Sequence, residues 1–448
     1  MRKHGRTGAA LTIAAALLAV GLGSFVILAG LAHYKTVAVA HRWIRTLGTR
    51  EQILARYPPR EANAAALTLE RLSARLGIDT VPRSVTMGRK PRTVGHREQP
   101  TEEQEKAFSD FRAAASSYGT AQLERARRGI DAPPASVAAY LESHEAEIEA
   151  VRRHLTSGHV PYWEARLERL HEASMPNLIG NMNVVKLLVT DALAKAHAGQ
   201  HGTGFRDLDA AWTMARALGD EPILIGQRIA IADVKLIAGA LRQLGDPPPF
   251  WRDRLAEHDF RGSFMTALEY EGWTWTQRPD VLDGLGGVAG KLAGNVARPY
   301  FRLCLAHTSD EFRRRLKNLE NVPALCDYDL STRQADLAVP ISRWDRVSGL
   351  VAGDFAGALD RLARLELDLE LTAKLLELDQ ARSASGGWPA SSPSIEASRA
   401  CPRDRWMYLV TPEGEMTLAF GRRPTWPGVE FKGIQLPTAF TVSGGAPS

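Results

Sequence analysis

Residues 177–244 read NLIGNMNVVKLLVTDALAKAHAGQHGTGFRDLDAAWTMARALGDEPILIGQRIAIADVKLIAGALRQL. Alanine and leucine recur here at helical packing spacing, and a glycine break precedes Leu208, Ala211, Trp212 and Ala215. The pattern predicts consecutive helices over 183–198, 205–218 and 221–244, separated by Gly-rich or Pro-containing breaks. Breaks this short leave neighbouring helices no choice but to run antiparallel, so the expected class is mainly α, an array of helical hairpins.

Upstream the same period continues. Val137, Leu141, His144, Ile148, Val151 and Leu155 alternate at spacings of four and three, which predicts one amphipathic helix over 136–155 with Glu145, Glu149 and Arg152 beside its seam. His144 on that seam reads as a core histidine rather than a ligand. Thr101-Glu-Glu-Gln104 has the capping-box form and opens a helix whose buried face holds Phe108, Phe111, Ala115 and Tyr118. A short helix over 60–76 carries Leu69, Leu72 and Leu76 on one face and ends at Gly77. Residues 80–100 have no hydrophobic period, and their Arg83, Arg89, Lys90, Arg92 and Arg97 read as a solvated linker.

Downstream, Asp246-Pro-Pro-Pro249 is a firm break and the expected domain boundary. Thr308-Ser-Asp-Glu311 repeats the capping-box form and predicts a helix start. A leucine-rich helix over 355–384 is stopped by Gly386-Gly387. From Trp406 the period becomes two: Trp406, Tyr408 and Val410, a turn at Gly414, then Met416, Leu418 and Phe420. That is a β-hairpin, with further β-like runs at 429–431 and 440–442. Residues 365–420 resemble the C-terminal layout of type II secretion pseudopilins: a long helix ending in Gly387-Trp388-Pro389, then Cys401-Pro402, then an aromatic hairpin. The N-terminal segment lacks the Gly-Phe junction and inner Glu of that family, so its processing and assembly are not implied here. Residues 191–218 are similar to a tetratricopeptide-like helical hairpin, with no period of about 34 residues to make an array of that family.

The N-terminus sets the setting. After Arg2, Lys3 and Arg6, the 24-residue run AALTIAAALLAVGLGSFVILAGLA carries no charge. As a helix it is about 36 Å long and clears the roughly 30 Å hydrocarbon core. It exceeds the apolar stretch of about 7–15 residues in a cleavable signal peptide. The expected organisation is a cytoplasmic tail (1–7), a transmembrane anchor (8–32), juxtamembrane helices and a basic linker (33–100), a helical domain (101–245), a second helical domain (250–385) and a linker with a C-terminal β-rich segment (386–448). Lys35, Arg42 and Arg45 follow the span, so charge alone barely orients it, but a short tail before a long domain favours a bacterial inner-membrane protein with its bulk in the periplasm. A net charge of +5 over 448 residues gives no reason to expect nucleic acid. The odd count of Cys304, Cys326 and Cys401 permits one disulfide at most.

No catalytic, cofactor or metal residue is assigned. The run GLGGVAGKLAG at 284–294 has Leu285 where a phosphate loop needs its first glycine and Leu292 where it needs Ser or Thr. Gly284-Leu-Gly286-Gly-Val-Ala289 matches a dinucleotide loop only nominally, with no strand before it. Gly286, Gly290 and Gly294 share one helix face instead, suited to close packing. His197 and His201 have the one-turn spacing of a zinc pair, but the intervening glycine marks a helix end. The leading expectation is therefore a membrane-anchored scaffold or protein-interaction module with a protein partner. The rival is a glycan-directed hydrolase using Glu269 or Glu271, near Trp273 and Trp275, since carboxylates flank glycosidic bonds and indoles stack on sugars.

Overall fold

A computed structural model describes residues 4–58, 61–84, 92–93, 98–164, 167, 174–219, 222–277, 287–320, 324, 345, 355–391, 393–421 and 438–443. In chain order the helices are α1 (His4–Leu47), α2 (Arg50–Arg56), α3 (Ala64–Arg75), α4 (Glu102–Leu123), α5 (Ala135–Ser143), α6 (Glu145–Leu155), α7 (Leu178–His197), α8 (His201–Gly219), α9 (Leu224–Leu244), α10 (Phe250–Glu257), α11 (Phe260–Thr276), α12 (Gly287–Glu320), α13 (Phe355–Ser385) and α14 (Pro393–Glu396). The strands are β1 (Arg83–Ser84), β2 (Arg92–Thr93), β3 (Ser174–Met175), β4 (Trp406–Val410), β5 (Met416–Phe420) and β6 (Ala439–Val442). The chain is mainly α, with a long apolar N-terminal helix and a small antiparallel sheet at its end. It divides into two compact units, one of Met1–Arg56, Glu269–Leu319 and Ala338–Gly353, the other of Tyr57–Leu268, Glu320–Leu337 and Asp354–Ser448.

In the first unit, α1 is continuous past the apolar run, and no residue of its most apolar window is buried. Ile13, Leu17, Val20 and Ile27 all project outward. Toward its C-terminal end the helix turns inward, and Trp43 is fully buried. The Trp43 indole donates to Ser309 Oγ at 2.7 Å, and that hydroxyl donates to the Gly272 carbonyl at 2.7 Å. Arg42 and Asp310, next in sequence to Trp43 and Ser309, meet at 2.6 Å. α1, α11 and α12 thus meet around Gly272, where a Cβ would sit 2.7 Å from both Phe312 Cδ1 and Trp43 Cζ2. Thr308 does not start a helix, as its sequence suggested. It lies inside α12, and its hydroxyl donates back to the Cys304 carbonyl at 3.0 Å.

The second unit is the helical array. α7, α8 and α9 form consecutive antiparallel hairpins, with α4 packed on α7 and α9, and α13 on α9. The capping box of α4 is complete: Thr101 Oγ1 accepts from Gln104 N, and Gln104 Oε1 accepts from Thr101 N at 2.8 Å. Gly77, beyond α3, has φ +72°, and a Cβ there would lie 2.1 Å from the Gln104 carbonyl oxygen. The single helix predicted over 136–155 is two, because His144 at φ −119°, ψ 20° breaks it. Its imidazole stacks on Tyr140 at 4.2 Å and Nδ1 donates to the Tyr140 carbonyl at 3.0 Å, local bonds that compete with the helical ladder. Buried arginines join the helices. Arg152 of α6 meets Asp207 at 2.5 Å and Asp191 at 2.8 Å, besides Glu149. Arg242 of α9 meets Asp368 of α13 at 2.5 Å and Thr372 at 2.8 Å, and Arg128 grips both oxygens of Asp379 at 2.8 and 2.7 Å.

At the end of the chain, β4, β5 and β6 form an antiparallel sheet in that order, Trp406 opposite Phe420 and Leu418 opposite Phe440. Gly414 makes the hairpin turn at φ +80°. The buried sheet face, Trp406, Met416, Leu418, Phe420, Phe440 and Val442, packs on Leu367, Leu371, Leu375 and Leu378 of α13. Residues 429–431 lie outside the described residues. The basic stretch contributes β1 and β2, paired Arg83 to Thr93, with β3 on the other side of β1.

Two substitutions check this packing. Gly272→Ala gains about 1 kcal/mol of helix propensity but forces the Trp43 and Phe312 rings apart, so a net loss of roughly 1–2 kcal/mol is expected in thermal unfolding. Asp368→Ala strands the buried Arg242 charge and is expected to cost about 3–5 kcal/mol. An unchanged melting curve for either variant contradicts the corresponding contact.

Candidate functional site

The carboxylates and indoles singled out in the sequence lie on α11, in the first unit. Trp273 is 1% exposed and Trp275 4%. Trp273 sits 5.5 Å from the Tyr270 ring, and Trp275 sits 4.9 Å from Phe312. The Trp275 indole donates to Glu271 Oε1 at 3.1 Å. These indoles are core side chains and present no face to a sugar ring. From Gly287 the glycine run is helical rather than a loop, and Gly294 is buried within it. Gly286 and Cys326 lie outside the described residues. His197 closes α7 with Nδ1 donating to the Ile130 carbonyl at 3.0 Å, and His201 opens α8. Among the described residues no group of three or more His, Cys, Asp or Glu side chains converges as a metal site would. Cys304 is a buried thiol, and Cys401 is disulfide-bonded.

Two clefts among the described residues of the helical unit are candidate sites. The first, of about 290 Å³, lies among α10, α11, α13 and residues 399–400. Two glutamates of α13 line it, Glu366 and Glu370, one turn apart and therefore on the same helix face. Their surroundings differ. Glu370 accepts from Ser398 Oγ at 2.8 Å, Arg399 N at 2.7 Å and Ala400 N at 3.0 Å, with Lys374 at 3.5 Å. It holds the 398–400 turn and has little capacity left for a ligand. Burial raises the Glu366 carboxyl to about 7, with Arg261 opposing and Asp259 adding to the shift. The cleft therefore holds one carboxyl able to give or take a proton near neutral pH.

The second cleft, of about 320 Å³, lies among α4, α7 and α9, with Arg361 of α13 at one side. Phe108, Phe111, Leu123, Leu187, Ile231 and Leu236 supply apolar walls. Arg112, Lys186, Arg228, Lys235 and Arg361 supply five cations, and among the described residues no Asp or Glu lines the space. Burial lowers both Lys186 and Lys235 below the ordinary lysine range. Behind Lys186, Asp233 is fully buried, neither carboxyl oxygen has a hydrogen-bond partner, and burial drives it well above the carboxylate range. The sequence carried a signal for this site that motif reasoning passed over. Lys186 and Lys235 each stand between a valine and a leucine, in VVKLL and DVKLI, on helices that are mostly buried, where a lysine is out of place.

No family model, no curated protein and no solved structure matches the chain.

The Glu366 environment has a pH signature. Its pKa is 4.5 when solvated and about 7 in the folded chain, so folding favours the protonated form. The contribution to stability is fully present below pH 4.5 and is lost as pH rises through 7. Glu366→Gln, which stays neutral, should gain stability relative to the parent between these limits, with the larger advantage at pH 8. Melting temperatures of both proteins at pH 4.5 and pH 8 check this; a difference that does not change with pH contradicts it.

Proposed function

We propose that this chain is a single-pass, membrane-anchored binding module of the bacterial cell envelope, working through its helical array rather than through a catalytic centre. The observation that carries the reading is the outward-facing apolar length of α1. The most apolar window of this helix, near the N-terminus, has none of its residues buried. An exposed apolar surface of that extent is not sustained in water, and a bilayer is the environment that matches it.

Residues 1–7 lie on the cytoplasmic side in this reading, and the rest beyond the inner membrane in the periplasm. The Cys401 disulfide supports that side, since disulfides persist in oxidising spaces. The hairpin array supports a binding role, because stacked helix pairs leave concave surfaces between them. The partner expected from the sequence is a protein, with no nucleic acid.

Three measurements test the reading. The full chain should stay with the membrane through a carbonate wash, and release of the intact chain would remove the anchor. A reporter active only outside the cytoplasm should be active when fused after Ser448. Activity of a cytoplasm-only reporter there would reverse the orientation. Cys401 should resist maleimide in cells until a reductant is added.

A further inference from the structure

We propose that the cleft between α4, α7 and α9 binds a single-chain anionic lipid, its acyl chain along the Phe108, Phe111 and Leu187 wall and its acidic headgroup among Lys186, Arg228 and Lys235. This goes beyond the anchored-module reading and rests on it only for the nearness of a lipid supply.

Charge carries the first part of the argument. Five cations face one space that, among the described residues, no Asp or Glu lines. Arg112 is exposed, while Lys186, Arg228, Lys235 and Arg361 are half-buried, so their charges are partly stripped of water. Lys235 has neighbours on α13 to answer it, Asp368 and Asp360, and Arg361 is engaged as well. Among the described residues, the acidic group acting on Lys186 is Asp233, and its burial holds that carboxyl toward the neutral form. An anion entering the cleft completes what the protein leaves uncompensated.

Shape and polarity select the rest of the ligand. A free phosphate or carboxylate would satisfy the cations and leave the aromatic and aliphatic walls facing water. A peptide helix is larger: one turn with its side chains, about 10 Å across and 5.4 Å long, occupies roughly 420 Å³. The cleft is about 320 Å³. One acyl chain needs no hydrogen bonds and suits the apolar walls, with cations among them to meet its acidic headgroup.

Gly119 provides a clean test. It lines the cleft from α4, and a Cβ at this position meets nothing within 4 Å. Gly119→Leu should therefore fill the slot while leaving the helix intact or firmer. The full-length protein, in nanodiscs of phosphatidylcholine, is exposed to a photoreactive palmitic acid and cross-links are mapped by mass spectrometry. Labels are expected on the peptides of α4, α7 and α9. The matching alcohol should label them about tenfold less, as should the acid with Lys186→Gln. Gly119→Leu should lose the label with its melting temperature kept. Equal labelling by acid and alcohol, undiminished labelling of Gly119→Leu, or displacement of the probe by millimolar inorganic phosphate overturns the proposal. Labels confined to α1 overturn it as well. These readouts concern the cleft itself, so they stand apart from the carbonate and reporter results that judge the anchor.

Discussion

The helical unit depends on one buried pair, Arg242 with Asp368, each 2% exposed. A guanidinium that deep in α9 has to meet a carboxylate, since an uncompensated charge there would cost more than most single contacts return. Meeting it fixes how α13 is rotated. Asp368, Thr372 and Asp379 point toward Arg242 and Arg128. One residue back along the helix, Leu367, Leu371, Leu375 and Leu378 fall on the face that covers the C-terminal sheet. A further residue back, Glu366, Glu370 and Ala373 fall on the first cleft. Steps of about 100° per residue separate the three faces, so a single ion pair assigns each its neighbour.

The elements legible in the sequence are those that local chemistry specifies. The capping box at Thr101 is read correctly because both of its bonds lie within four residues. The hairpins from 178 to 244 follow from apolar period and short breaks, and the β-hairpin from strict alternation around Gly414. The same four-residue logic fails at Thr308. A capping box marks a start only when the chain before it is not helical, and α12 already runs there from Gly287. It fails again at His144, where a seam that is continuous in sequence is cut by backbone dihedrals that no spacing reveals. The aromatic cluster at 270–275 was legible as a core cluster, since Tyr270, Trp273 and Trp275 are buried, but its neighbours were not, because nothing local says that Trp43 and Phe312 pack beside it.

The clefts were illegible for a different reason. The cations of the second come from α4, α7, α9 and α13, with up to 249 positions between Arg112 and Arg361, and no window of sequence holds two of those helices' contributions in register. What a sequence does show is the anomaly at each position. A lysine between valine and leucine in a buried helix loses hydration and gains no packing, so it persists only where something outside the helix repays it. Reading such misfits first, before any motif, would have pointed to Lys186 and Lys235 together.

The long apolar N-terminal helix also builds the first unit. α1 carries two different surfaces on one unbroken axis, apolar side chains facing outward around Ile13–Ile27 and a buried end at Trp43. Hydropathy reads the first surface and stops at the first charge, so it misses the second. Trp43 lies 16 residues beyond Ile27, roughly 24 Å along the helix. Because no break intervenes, the hydrogen-bond relay from Trp43 through Ser309 to Gly272 is attached to the apolar run by a rod rather than a tether. A flexible linker would leave the two surfaces free to move against each other. A continuous helix fixes instead both the distance of the relay from the apolar run and the direction it faces.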